Sequence, residues 1–270
     1  ASTASKLRGE SGTKVLVELS SESGEIREVD LERRSVDLRP VRTKRLRDDS
    51  HTIGYLRITQ FSESVPKKVE EALQELKEKE VEGLILDLRN NSGGLVSSGI
   101  AVADSLLSEK PVVETKNRNG IKDAIISQKE TSFDGPMVTL VNKGTASASE
   151  ILAGSLQDNE RSILMGEKTY GKGLIQSLKS LGEDSGIAIT VASYLTPKGN
   201  NIQGQGMTPD KLLDLPDASE YGSADDKWVK NAELFLESLL EKEKLSFQTS
   251  ELNNEEIKPL MRKKIQNKIS

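Results

Sequence analysis

From Gly54 onward the chain alternates short apolar runs with stretches in which apolar residues return every three or four positions, and few architectures accept that alternation. Tyr55-Leu56-Arg57-Ile58 opens the series as a strand. Ser62 or Ser64 then offers a helix cap with Pro66 in the first turn, and Val65, Val69, Leu73 and Leu76 form one apolar stripe. A second strand spans 84–88, and the helix after it carries Ile100, Val102, Ala103, Leu106 and Leu107. The pattern continues with a strand over 137–141, a helix over 147–157, a strand over 163–165 and a long strand over 187–195. Repeated β and α units of this kind predict an α/β domain whose chemistry sits on loops at strand ends.

The flanks read differently. Ahead of the alternating region, Val15, Val17 and Leu19 and then Ile26, Val29 and Leu31 suggest a strand pair turning at Ser23-Gly24, with Gly9 ending a short helix. This is too little for a domain and reads as the end of a small β-rich module that begins upstream. The basic run Arg39, Arg42, Lys44, Arg45 and Arg47 is expected to be a solvated connector. Beyond Asp210 the chain turns polar, with one more helix over 228–240 and a loosely held tail expected from Phe247. The expected organisation is therefore 1–40, 41–210 and 211–270, with no internal repeat.

Composition removes several functions. A chain of 270 residues can bury a proper core. With no cysteine there is no disulfide, thiolate zinc site or cysteine nucleophile. The single histidine, His51, lies in Asp48-Asp49-Ser50-His51-Thr52, expected to be a solvated polar turn, so a Ser-His-Asp triad has little to build on. A net charge of −5 with both signs interspersed gives no basic face for nucleic acid. No apolar run reaches the ~20 residues that span a bilayer, and no signal peptide opens the chain at Ala1.

Three loops gather small residues and glycines: 89–94 (Arg-Asn-Asn-Ser-Gly-Gly), 144–150 (Gly-Thr-Ala-Ser-Ala-Ser-Glu) and 166–173 (Gly-Glu-Lys-Thr-Tyr-Gly-Lys-Gly). The third resembles a phosphate-binding loop until Gly173, which stands where that motif needs Ser or Thr, and 174–178 read as a strand rather than a helix. In the second, Ser147 opens a helix, where free amides and a positive dipole suit either a nucleophile or a simple cap. Thr145 could serve as the cap instead. A serine hydroxyl attacks only when a base takes its proton, and lysine qualifies only when desolvated enough to be neutral. Lys172, between two glycines, is expected to pack on the sheet, and if it begins a strand, Gln176 shares its face.

Together these residues resemble the C-terminal processing peptidases, or tail-specific proteases. The match runs through Gly54-Tyr55-Leu56-Arg57-Ile58 with Phe61, residues 86–94, Thr145 to Ile151, Leu156-Gln157-Asp158, Gly171-Lys172-Gly173 with Gln176, and Gly204-x-Gly206-Met207-Thr208-Pro209-Asp210. The serine-to-lysine interval (172 − 147 = 25) and the lysine-to-glutamine interval (176 − 172 = 4) are those of the family motif. The resemblance covers roughly residues 6 to 240.

It implies a crotonase/ClpP-like α/β core preceded by part of a PDZ module over 1–40, lacking the module's carboxylate-binding loop. Ser147 would be the nucleophile, Lys172 the base and Gln176 its support. The oxyanion donors would be the amides of Ala148 and of Gly93 or Gly94, and Asp158 and Glu150 would be structural supports. For Asp87 and Arg89 an ion pair that shapes the glycine loop is expected. No metal or organic cofactor is implied; the partner is the C-terminus of a protein or peptide. Within the family the chain looks closest to the photosynthetic branch, whose substrate is the C-terminal extension of a photosystem II reaction-centre protein, in the periplasm or thylakoid lumen. The rival is a peptidase-like scaffold that holds peptides without cutting them. The oligomeric state is left open.

Overall fold

The computed structural model describes residues 6–21, 23–34, 39–47, 51–120, 122–128, 130–182, 185–214, 220–242 and 244–245. They divide into two compact units, 1–39 and 40–270. The tail expected from Phe247 lies outside the described residues.

In the first unit, β1 (Lys14–Ser20) pairs antiparallel with β2 (Ile26–Glu32) around a turn containing Gly24. Arg33 ties this hairpin to the preceding segment by donating to Leu7 O at 2.9 Å and Lys6 O at 3.2 Å.

The second unit is built on β3 (Val41–Arg47), β4 (Thr52–Ile58), β5 (Gly83–Asp87), β8 (Met137–Val141), β9 (Ile163–Gly166) and the short β12 (Lys211–Leu212). Their order across the sheet is β12-β9-β8-β5-β4-β3, parallel except for the antiparallel edge strand β3. The basic run is thus a strand and not the expected connector. It fits an edge because its side chains can stay in solvent, and its Lys44 Nζ donates to Gly222 O at 2.8 Å.

Side-chain alternation divides the sheet into two cores. Leu56, Ile58, Leu84 and Leu86 face one side, joined by Val65, Val69, Leu73 and Leu76 of α1 (Val65–Glu78), Val102 and Leu106 of α2 (Val96–Leu106), and Ile151, Leu152 and Leu156 of α3 (Ala148–Asp158). Ile53, Tyr55, Ile85, Val138 and Leu140 face the other, covered by Trp228, Val229, Ala232 and Leu236 of α4 (residues 227–242).

A second sheet, ordered β10-β11-β6-β7, is antiparallel and much more exposed: β6 (Pro111–Asn117), β7 (Lys122–Ile126), β10 (Leu174–Gly182) and β11 (Ser185–Leu195). Strands β6 and β7 are absent from the sequence reading, because Pro-Val-Val-Glu-Thr-Lys-Asn and Lys-Asp-Ala-Ile-Ile carry no clean period of two.

Parallel strands send all their C-terminal ends to one edge of the sheet. The loops after β4, β5, β8 and β9 therefore converge, and those after β5, β8 and β9 are the three loops singled out above. No described helix is long and apolar enough to cross a membrane.

Candidate active site

Ser147 joins the loop after β8 to the first turn of α3 and adopts φ 58°, ψ −120°. A non-glycine residue held there costs on the order of 1–3 kcal/mol, and such strain persists where the surroundings over-determine it, most often at functional sites. Here they do. Asn91 O accepts from Ala146 N at 3.0 Å and Ser149 Oγ at 2.9 Å, fixing the residues on either side. A Cβ on Gly93 would stand 2.8 Å from both Ala146 O and Ser147 Cβ, so only glycine lets the two loops close to this distance. Thr145, the alternative cap, is engaged elsewhere: its hydroxyl donates to Leu88 O at 2.9 Å and accepts from Asn142 N at 3.0 Å. Ser147 itself holds the N-cap position and is 8% exposed.

Glu150, one turn into α3, joins the serine loop to the lysine loop. Its carboxylate is fully buried and accepts four hydrogen bonds: Thr169 Oγ1 at 2.6 Å and Gly171 N at 2.7 Å on Oε1, Ser147 N at 2.9 Å and Lys172 N at 2.8 Å on Oε2. Hydrogen bonds to a charged group contribute roughly 1.5–3 kcal/mol each, enough together to offset a desolvation cost of several kcal/mol. The nucleophile and the lysine thus hang by their backbones from one carboxylate. Tyr194 of β11 repeats the tie from the opposite side, its hydroxyl donating to Ser147 O at 3.1 Å and to Lys172 O. Burial, and then the Glu150 carboxylate, push the Tyr194 phenol far above its ordinary value, so it remains a donor at every working pH.

The lysine side chain departs from expectation. Lys172 is exposed, and β10 begins only at Leu174, so Lys172 lies in a loop and not in a packed strand. No hydrogen bond joins its Nζ to Ser147 Oγ. Gln176 is exposed too; it lies in β10, whereas Lys172 precedes that strand, so strand alternation does not relate the two side chains. The structure therefore brings Ser147, Ala148, Glu150, Gly93 and the Lys172 backbone together.

For the oxyanion, Ala148 at the first position of α3 has no partner for its amide among the described residues, as helix geometry requires. The Gly93 amide is already used, donating to Asn91 Oδ1 at 3.0 Å. The Gly94 amide donates to no described residue.

Other residues fall elsewhere. Asp158 ends α3, about 15 Å along the helix from Ser147, and accepts from Lys198 N at 2.8 Å, so it supports a distant loop. His51 is not a solvated turn residue: it is 4% exposed, with Nδ1 3.2 Å from both Glu82 carboxylate oxygens. It precedes β4, at the opposite edge of the parallel strands from Ser147. Asp87 and Arg89 do pair, at 2.6 Å, inside a larger buried cluster that includes Arg57 and Asp226. Among the described residues no group of three or more His, Asp or Glu is arranged to hold a metal ion.

Residues 52–213 match the model of peptidase family S41. A carboxyl-terminal-processing protease of Synechocystis sp. is 47% identical over 215 residues, which is 79% of this chain and 50% of that protein. The chloroplastic C-terminal processing peptidase of Tetradesmus obliquus is 45% identical over 164 residues, covering 60% of this chain and 35% of the relative. Among solved structures, a photosystem II D1 C-terminal processing protease superposes with a TM-score of 0.65 at 37% identity, over 76% of this chain and 57% of the other. The chain spans about half the length, or less, of the curated relatives it matches.

Proposed function

The chain belongs to peptidase family S41, and on that premise we propose that it is a serine endopeptidase that cuts near the C-terminus of protein substrates. Ser147 attacks the scissile carbonyl. Lys172, as the neutral amine, takes the serine proton and returns it to the leaving amine. The tetrahedral oxyanion rests on the Ala148 amide and on that of Gly94 rather than Gly93, whose amide is engaged by Asn91. No step requires a metal or cofactor.

The observation that carries this reading is the Glu150 carboxylate, which holds the strained Ser147 and the Lys172 backbone on adjacent lone pairs. A simple cap has no use for a second loop on the same carboxylate. Since Lys172 is exposed, the substrate itself supplies the missing desolvation by covering the amine as it binds. The family resemblance supports Gln176 as a support for the amine. Residues 1–39 fit the last strands of a PDZ module that presents the substrate's C-terminus. Its relatives' names support a photosystem II D1-type precursor as substrate and a thylakoid-lumen or periplasmic setting.

Release of the C-terminal fragment from a synthetic peptide with a free apolar terminus tests the proposal. The unsubstituted chain should cleave, while Ser147→Ala and Lys172→Ala should each lose at least about 10³-fold in kcat. The exposed amine gives the peptide-holding scaffold its one point of support. That alternative predicts binding of the same peptide with no cleavage that depends on either residue.

A further inference from the structure

We propose that the turn at residues 221–226 is a clamp that fixes the glycine loop for catalysis, with Tyr221 and Asp226 as its positioning residues. The inference rests on the assignment of Ser147 as nucleophile and concerns a segment beyond the family match, which ends at residue 213.

Arg89 leads directly into Asn90-Asn91-Ser92-Gly93-Gly94 and is fully buried. Two carboxylates share its guanidinium. Asp87 receives Nε at 3.0 Å and Nη2 at 2.6 Å, and Asp226 receives Nη1 at 3.1 Å and Nη2 at 2.6 Å. Arg57 adds Nη2 to Arg89 O at 3.1 Å and places Nη1 3.0 Å from Asp87, so two arginines balance two aspartates with little exposure to water. Asp226 is fixed in turn by the amides of Gly222 at 2.8 Å, Trp228 at 3.2 Å and Val229 at 3.3 Å, which makes it the cap of α4 as well. Burial raises its carboxyl, but the Arg89 contacts and the Gly222 and Val229 amides outweigh that and hold it below the usual carboxylate range.

Tyr221 extends the clamp to the loop itself. Its ring lies 4.2 Å from the Arg57 guanidinium and 4.3 Å from that of Arg89, and its hydroxyl accepts from Asn90 Nδ2 at 2.6 Å. Asn90, held at φ 55°, exchanges hydrogen bonds with Asn142 at 2.9 and 3.0 Å, and Asn142 Oδ1 also takes the Gly144 amide at 3.0 Å. One side-chain chain thus runs from the turn through the glycine loop into the serine loop. Gly222 makes the approach possible, since a Cβ there would stand 2.8 Å from the Tyr55 ring. A turn that only glued α4 to the sheet would need the apolar face of α4 and no contact with Asn90.

The test measures amide hydrogen exchange over 90–95 and peptide cleavage in the full chain, Tyr221→Phe and Asp226→Asn. Tyr221→Phe removes the bond to Asn90 and keeps the ring over both guanidinium groups. It should speed exchange at 92–95 about tenfold and lower kcat about tenfold, with KM within about twofold and α1 exchange unchanged. Asp226→Asn should show the same pattern more strongly. If Asp226→Asn does not fold, Tyr221→Phe decides alone. Parental exchange over 90–95 together with parental kcat in Tyr221→Phe overturns the clamp. If the full chain shows no Ser147-dependent cleavage, the peptidase assignment fails instead, and the exchange data alone confirm or overturn the clamp.

Discussion

The serine loop and the lysine loop meet at one carboxylate and differ in what they show to water. Ser147 is buried, strained and bracketed by ties from Asn91, Gly93 and Glu150. Lys172 has a backbone held as firmly, by Glu150 at its amide and Tyr194 at its carbonyl, yet its side chain is exposed. The difference has a physical reason. Keeping a hydroxyl in a dry pocket costs less than permanently burying an ammonium, which costs several kcal/mol. A fold that fixes the backbones and leaves dehydration of the amine to the substrate avoids that cost in the resting chain.

This contrast can be broken at Glu150 with the largest effect. Glu150→Gln keeps the shape but replaces two acceptor oxygens by one and turns two N–H groups toward an NH₂. Both loops should loosen together, with about 3 kcal/mol lost in urea unfolding and a fall of at least about 10²-fold in kcat/KM. Loss of stability with unchanged kcat/KM would separate the carboxylate from the chemistry. Tyr194→Phe is a milder probe, since it removes one donor shared by two carbonyls. It should cost about 1 kcal/mol and several-fold in kcat, with the acylation step slowed more than peptide binding. A pre-steady-state burst equal to the parent's would show that Tyr194 serves stability only. Asp158→Asn should do least, within about 0.5 kcal/mol and twofold in kcat, because its contact is with Lys198 at the far end of α3. A large effect there would mean that the far loop is coupled to the site.

Much of the molecule was legible because it obeys local rules. The strands β4, β5 and β8 are short apolar runs, and the stripe Val65, Val69, Leu73, Leu76 is wholly buried as its spacing requires. Ser147 stood out by its small neighbours and its interval to Lys172. What escaped depends on contacts between residues far apart in sequence. Tyr194 reaches Ser147 across 47 positions and Asp226 reaches Arg89 across 137, and neither has a motif of its own. His51 reads as a turn residue because its partner, Glu82, is 31 positions away at the start of another strand. The exposure of Lys172 escapes a sequence reading because strand alternation holds only from Leu174, two residues after it.

The measurement that bears most directly on the dehydrated amine is the pH dependence of kcat at saturating peptide. A base that must be neutral gives a rate that rises with pH through its pKa in the complex. The dehydrated-amine mechanism predicts a rise centred well below the ~10.4 of free lysine, with the residual rate of Lys172→Ala lacking that limb. A profile centred near 10.4, or one that Lys172→Ala leaves unchanged, would contradict it.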